Sequence, residues 1–70
     1  MMWMVTNQDG YVQMLDGTAS DAQQFALDSA MQHGTDMLLV NITDPRDDVY
    51  LVTVTITRSC TLATIEHISA

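Results

Sequence analysis

The residues able to do chemistry are few: one cysteine (Cys60), two histidines (His33 and His67) and nine carboxylates. A thiolate beside an imidazole would make a nucleophile and base, but it needs a lowered thiol pKa and close contact. No nucleophile signature flanks any of these residues. Cys60, next to a strand end, reads as a small buried apolar residue. The alternative is a reactive thiol paired with His67. His33 falls in the last turn of a helix, where a cation or polar cap is favourable. Glu66 and His67 are adjacent, so on a strand they face opposite ways and form no dyad. An enzyme is not expected.

Metal and phosphate chemistry find no better footing. One cysteine cannot supply a zinc pair, and His33 and His67 lack ligand spacing. Asp44, Asp47 and Asp48 look like a calcium loop only superficially. With Asp44 as position 1, Arg46 takes position 3 and Val49 the position that requires glycine. The stretch Asp16-Gly17-Thr18-Ala19-Ser20-Asp21 has one glycine and two aspartates where a phosphate cradle needs open amides. No cofactor is expected.

The acidity is the remaining signal. Eight aspartates and one glutamate oppose Arg46 and Arg58, with no lysine, for a formal charge of −7. A phosphate-tracking nucleic-acid binder is excluded, and anionic membrane is disfavoured, because both need clustered cations. Several carboxylates have no possible ion partner. They serve solubility or a salt-adapted host, or they recognise a basic protein surface, such as one that holds nucleic acid. Charge speeds such an encounter, but affinity needs apolar anchors. Leu27, Met31, Trp3 and a Met37/Leu39/Leu51 face are the candidates.

Positioning these groups falls to a few short elements. Met2 to Asn7 and Tyr11 to Leu15, joined through Asp9-Gly10, read as a hairpin, although the first strand could be a frayed start. Ser20-Asp21-Ala22-Gln23 has the capping-box form, and Gly34 suits a left-handed stop, so the predicted helix is Asp21 to His33. Ala22, Ala26 and Ala30 form one seam beside Ser29 and His33, flanked by Phe25 on one side and by Leu27 and Met31 on the other. Met37 to Thr43 is a strand with Leu38, Val40 and Ile42 on one face. A turn at Asp44-Pro45 leads to an alternating strand, Val49 to Arg58, with Tyr50, Val52, Val54 and Ile56 on one face. Thr61 to Ala70 reads as a last strand or irregular cover.

The fold class is α+β: an antiparallel sheet of about four strands in ββαββ order, with one helix packed on one face. Seventy residues make a single domain, 1–70, that buries roughly 60% of its unfolded surface. The second sheet face, with Leu51, Met37 and Leu39 partly exposed, suggests a partner or a homodimer. Five apolar residues without a preceding cation make no secretory signal, and a lone cysteine makes no internal disulfide. A cytoplasmic location is therefore expected. Asn41-Ile42-Thr43 is then a chance match to a glycosylation site.

The segment Gly17-Thr18-Ala19-Ser20-Asp21-Ala22-Gln23-Gln24-Phe25-Ala26, followed by Gly34 and two strands, resembles the layout of small phage-encoded proteins. Some anti-CRISPR inhibitors are similar in this order over about Tyr11 to Thr57. The resemblance implies a non-catalytic inhibitor that binds a surveillance complex or nuclease in the host cytoplasm. No family residue carries over, and relatives with this layout can be basic. The partner expected here is a basic protein or ribonucleoprotein surface, with no direct nucleic-acid contact. The expected contact residues are Asp44, Asp47 and Asp48 in the turn, with Asp28, Leu27 and Met31 on the helix. Charge reversal at Asp47 and Asp48 should then weaken binding and leave the melting temperature unchanged.

Overall fold

The computed structural model describes residues 1–43 and 48–68. In chain order the elements are β1 (Met2–Thr6), β2 (Val12–Asp16), α1 (Ala19–His33), β3 (Met37–Asn41), β4 (Val49–Ile56) and β5 (Thr61–His67). All neighbours pair antiparallel, in the order β2-β1-β3-β4-β5. The α+β class holds, with five strands rather than about four. The ambiguous tail is a strand because β3 pairs along only one edge of β4 and leaves the other edge open. β5 supplies the missing partner, from Tyr50↔His67 to Ile56↔Thr61.

β1 is no frayed start: it lies between β2 and β3, paired on both sides. Its odd positions, Trp3 and Val5, are fully buried. The hairpin to β2 closes on Asn7, whose Oδ1 accepts from the amides of Asp9 and Tyr11, each at 2.9 Å. Gly10 takes φ +93° there, a conformation costly for a side chain.

The helix begins two residues before the predicted start. Thr18, not Ser20, is the N-cap: its Oγ1 accepts from the Asp21 amide at 3.1 Å, and Asp21 Oδ2 accepts from the Thr18 amide at 3.4 Å. Thr18 also heads a capping-box pattern, with Asp21 at its fourth position. Gly17 makes the close fit possible, since a Cβ there would stand 3.2 Å from Asp21 Oδ2. The predicted stop is correct: Gly34 is left-handed, and its amide donates to the Ala30 carbonyl at 2.8 Å.

The alanine seam forms as expected, with Ala22, Ala26, Ser29 and Ala30 buried. Small side chains let α1 lie close over β3, β4 and β5. Beneath it pack Val5, Met37, Leu39 and Val52, with Phe25, Tyr50, Val54 and Ile65 at the margin. Trp3 closes the side towards β2, and its indole N–H donates to the Gly17 carbonyl at 3.3 Å.

β3 reverses its predicted faces. Met37 and Leu39 are buried under the helix, whereas Leu38 and Val40 lie on the other side of the sheet. Four consecutive apolar residues carry no alternation of their own, so pairing decides which way they face. Leu39 stands opposite Val5 and Tyr50, and Met37 opposite Val52, all on the helix side. The strand also ends at Asn41 rather than Thr43, because the Asn41 Oδ1 accepts from the Thr43 amide at 3.0 Å and turns the chain. β4 keeps its predicted faces but ends at Ile56. There the Thr57 amide donates to the Cys60 carbonyl at 2.9 Å and closes the turn to β5.

The cap position is directly testable by urea denaturation. Thr18→Ala should cost about 1 kcal/mol of stability. Ser20→Ala, on an exposed helical position, should stay within about 0.5 kcal/mol. Equal losses at both positions would contradict the observed cap.

Candidate interaction surface

Among the described residues, a single helix covers one face of the sheet and nothing covers the other. By strand alternation, the open face carries Met2, Met4 and Thr6 of β1, Val12 and Met14 of β2, and Leu38 and Val40 of β3. β4 adds Val49 and Leu51, followed by Thr53 and Thr55. The register aligns these positions into rows. Met14, Met4, Val40 and Val49 run across four strands, and Val12, Thr6, Leu38 and Leu51 form the next row. Val12 and Met14 are about half exposed, at 58% and 49%. Met4, Leu38, Val40, Val49 and Leu51 are half-buried. Unbranched, polarisable methionines make such a surface adaptable to a partner's shape.

At one end of this face is a cleft of about 330 Å³, lined by Thr6, Asn7, Gln8, Asp36, Met37, Leu38 and Leu51. A smaller polar cleft, bounded by Gln8, Asp9, Thr35 and Asp36, adjoins it. The wall is built of fixed parts. Asn7 Nδ2 donates to Thr35 Oγ1 at 3.0 Å, tying the β1 end to the loop before β3. Asp36 Oδ1 accepts from the Val54 amide at 2.8 Å.

The predicted contact residues do not form one patch through any hydrogen bond or ion pair among the described residues. Asp44 and Asp47 lie outside them. Asp28 is exposed on the helix and accepts from Gln24 Nε2 at 3.0 Å, within its own turn. Leu27 is half-buried against the core, and Met31 is 47% exposed. Asp48 is a structural group: its Oδ2 accepts from Asn41 Nδ2 at 3.1 Å, and its carbonyl from the Asn41 amide at 2.9 Å. Asn41 is itself buried, on the helix side of β3 beside Trp3 in the pairing. Reversing Asp48 would therefore break a fold contact, contrary to the expectation of an unchanged melting temperature. Of the other proposed apolar anchors, Trp3, Met37 and Leu39 are buried, and Leu51 is half-buried on the open face.

The chemical candidates are separated. Cys60 is exposed in the β4–β5 turn, not buried, with its Sγ 3.5 Å from Thr57 Oγ1. A turn tip faces water, and the buried positions nearby belong to β4. His67 ends β5, roughly 20 Å away at about 3.4 Å per strand residue. A Cys60–His67 pair is therefore ruled out by distance. His67 stacks on Tyr50, with centroids 4.6 Å apart, and its Nε2 lies 3.9 Å from Asp48 Oδ1. His33 packs against Tyr11 at 4.6 Å, at the other side of the fold. Among the described residues no cluster of three or more His, Cys, Asp or Glu could hold a metal. No helix among them is long and apolar enough to cross a membrane.

Comparison with protein-family models, curated proteins and solved structures returns no match to this chain.

One signal in the sequence pointed to the open face more directly than the β3 run did. With Trp3 and Val5 as the heaviest apolar pair of β1, alternation sends Met2 and Met4 to the opposite side.

Two measurements check these placements. Asp48→Ala should lower stability by about 1–2 kcal/mol in thermal and urea melts, because it removes a charged acceptor from a buried amide. Asp28→Ala, on the exposed helix, should stay within about 0.5 kcal/mol. In the folded protein, Cys60 should react fully with a thiol reagent without denaturant, and a protected thiol would contradict its exposed position.

Proposed function

We propose that this protein is a non-enzymatic, acidic interaction protein that occupies a basic surface of a host nucleic-acid-handling complex. In this reading it acts as a phage or mobile-element inhibitor of the anti-CRISPR type. The observation that carries the proposal is the open, methionine-containing sheet face in a chain of net charge −7. The two features divide the work. Carboxylates, among them Asp28, Asp44 and Asp47, draw a cationic partner in from a distance. The apolar rows around Met4, Val40 and Leu51 then supply contact area that salt does not screen. A surface that normally grips phosphate would be blocked without any chemical step.

The same apolar face favours a second reading, a homodimer or small regulatory module that pairs through it. Two copies at −7 each would repel, and that places the basic partner first.

Affinity capture with the tagged protein from nuclease-treated bacterial lysate identifies the partner, and binding kinetics then test the mechanism. Asp28→Lys and Asp47→Lys should slow association and flatten its salt dependence. Val40→Thr should mainly speed dissociation, because apolar contact is lost after docking. Recovery of the bait alone, with a dimer that persists at high salt, would overturn the proposal in favour of self-association.

A further inference from the structure

The cleft at the Asn7 end of the open face has an apolar floor and an acidic end, and these match one kind of occupant. We propose that it seats an arginine side chain presented by a basic protein partner. The inference rests on the interaction reading above and names the place and chemistry of one contact. Thr6, Leu38 and Leu51 stand side by side across three strands and form the floor. Asp36 lines both this cleft and the adjoining polar one, where Asp9 stands as well.

Four physical features select the occupant. An apolar floor takes the methylene stem of a long cationic side chain, whose head stays at the polar end. The carboxylate end repels phosphate and excludes an anionic ligand. Asp36 is held in place by the Val54 amide on Oδ1, so its other oxygen is presented without reorganisation. Neither Asp36 nor Asp9 makes an ion pair with another described residue, so no cation among those residues competes. Guanidinium fits better than ammonium, since it is more weakly hydrated and binds carboxylate through a planar fork. The wall made by Asn7 and Thr35 is already closed by their hydrogen bond, so the site exists before the partner arrives.

The probe is an acetylated, amidated hexapeptide alternating valine and arginine, titrated into the 15N-labelled full chain. A peptide with citrulline in place of arginine is the control. Saturable amide shifts are expected at residues 6–8, 35–38 and 51, with the citrulline peptide weaker. Asp36→Asn keeps an oxygen acceptor for the Val54 amide, so the fold should survive, as an unchanged melting temperature will show. It should weaken the arginine peptide about three- to fivefold, the scale of a partly exposed ion pair, and leave the citrulline peptide unchanged. Equal binding of the two peptides, or no effect of Asp36→Asn, would overturn the cleft. Saturable shifts confined to α1, to the 48–50 segment or to the outer edges of β2 and β5 would also overturn it, while leaving the wider acidic-surface reading intact. No saturable shift up to about 5 mM peptide would overturn the cleft. The partner kinetics above judge the wider reading separately.

Discussion

The packing of one alanine seam against the sheet governs the rest of this structure. Ala22, Ala26 and Ala30 bring α1 close enough to bury Val5, Met37, Leu39 and Val52 beneath it. A helix of fifteen residues is about 22 Å long and about 10 Å across, while five strands span roughly 20 Å. One such helix can cover much of one face and none of the other. That the face is open is therefore a consequence of the element count, and that it is apolar is the choice of side chains on β1 to β4.

Gly17 links the two ends of this arrangement. Its carbonyl accepts the Trp3 indole N–H, and the space it leaves admits the Asp21 carboxylate that completes the Thr18 cap. Trp3 thus fills the side that α1 does not reach, and the helix start is held against the same turn. Asn41 acts similarly beside Trp3, its cross-strand partner in β1. A buried amide on the helix side of β3 is tolerated because Asp48 and the Thr43 amide satisfy it. That contact removes Asp48 from the pool of free surface charge. It shows why a count of carboxylates overstates what is available to a partner.

The open face and the acidity act at different ranges. Charge is felt across a Debye length of about 8 Å in physiological salt, whereas apolar contact acts only after water is displaced. In the interaction proposed above, the two would act in turn, charge first and contact second. The methionines of this face are unbranched and adaptable, while the strand framework beneath them stays paired on both sides through β1, β3 and β4.

Much of the fold was legible from local chemistry. Asp9-Gly10 marked the first hairpin, Gly34 the helix stop, the alanine spacing the packed face, and the threonine alternation of β4 its two sides. These are decided by near neighbours: a turn's φ, a cap's hydrogen bond, a period of 3.6 or 2. The net charge and the lack of a catalytic signature were equally local. What the tertiary structure alone decided depends on partners distant in the chain. The run Met37-Leu38-Leu39-Val40 has no period, so only its pairing with Val5, Tyr50 and Val52 could turn Leu38 and Val40 outward. The tail became a strand because β4 offers it the edge that β3 does not use. Cys60 came to the surface because a turn closes at Thr57. The cleft at Thr6, Leu38, Leu51 and Asp36 joins segments up to 45 residues apart. No local rule specifies such a meeting, because register across the sheet is set by the packing of all its strands together.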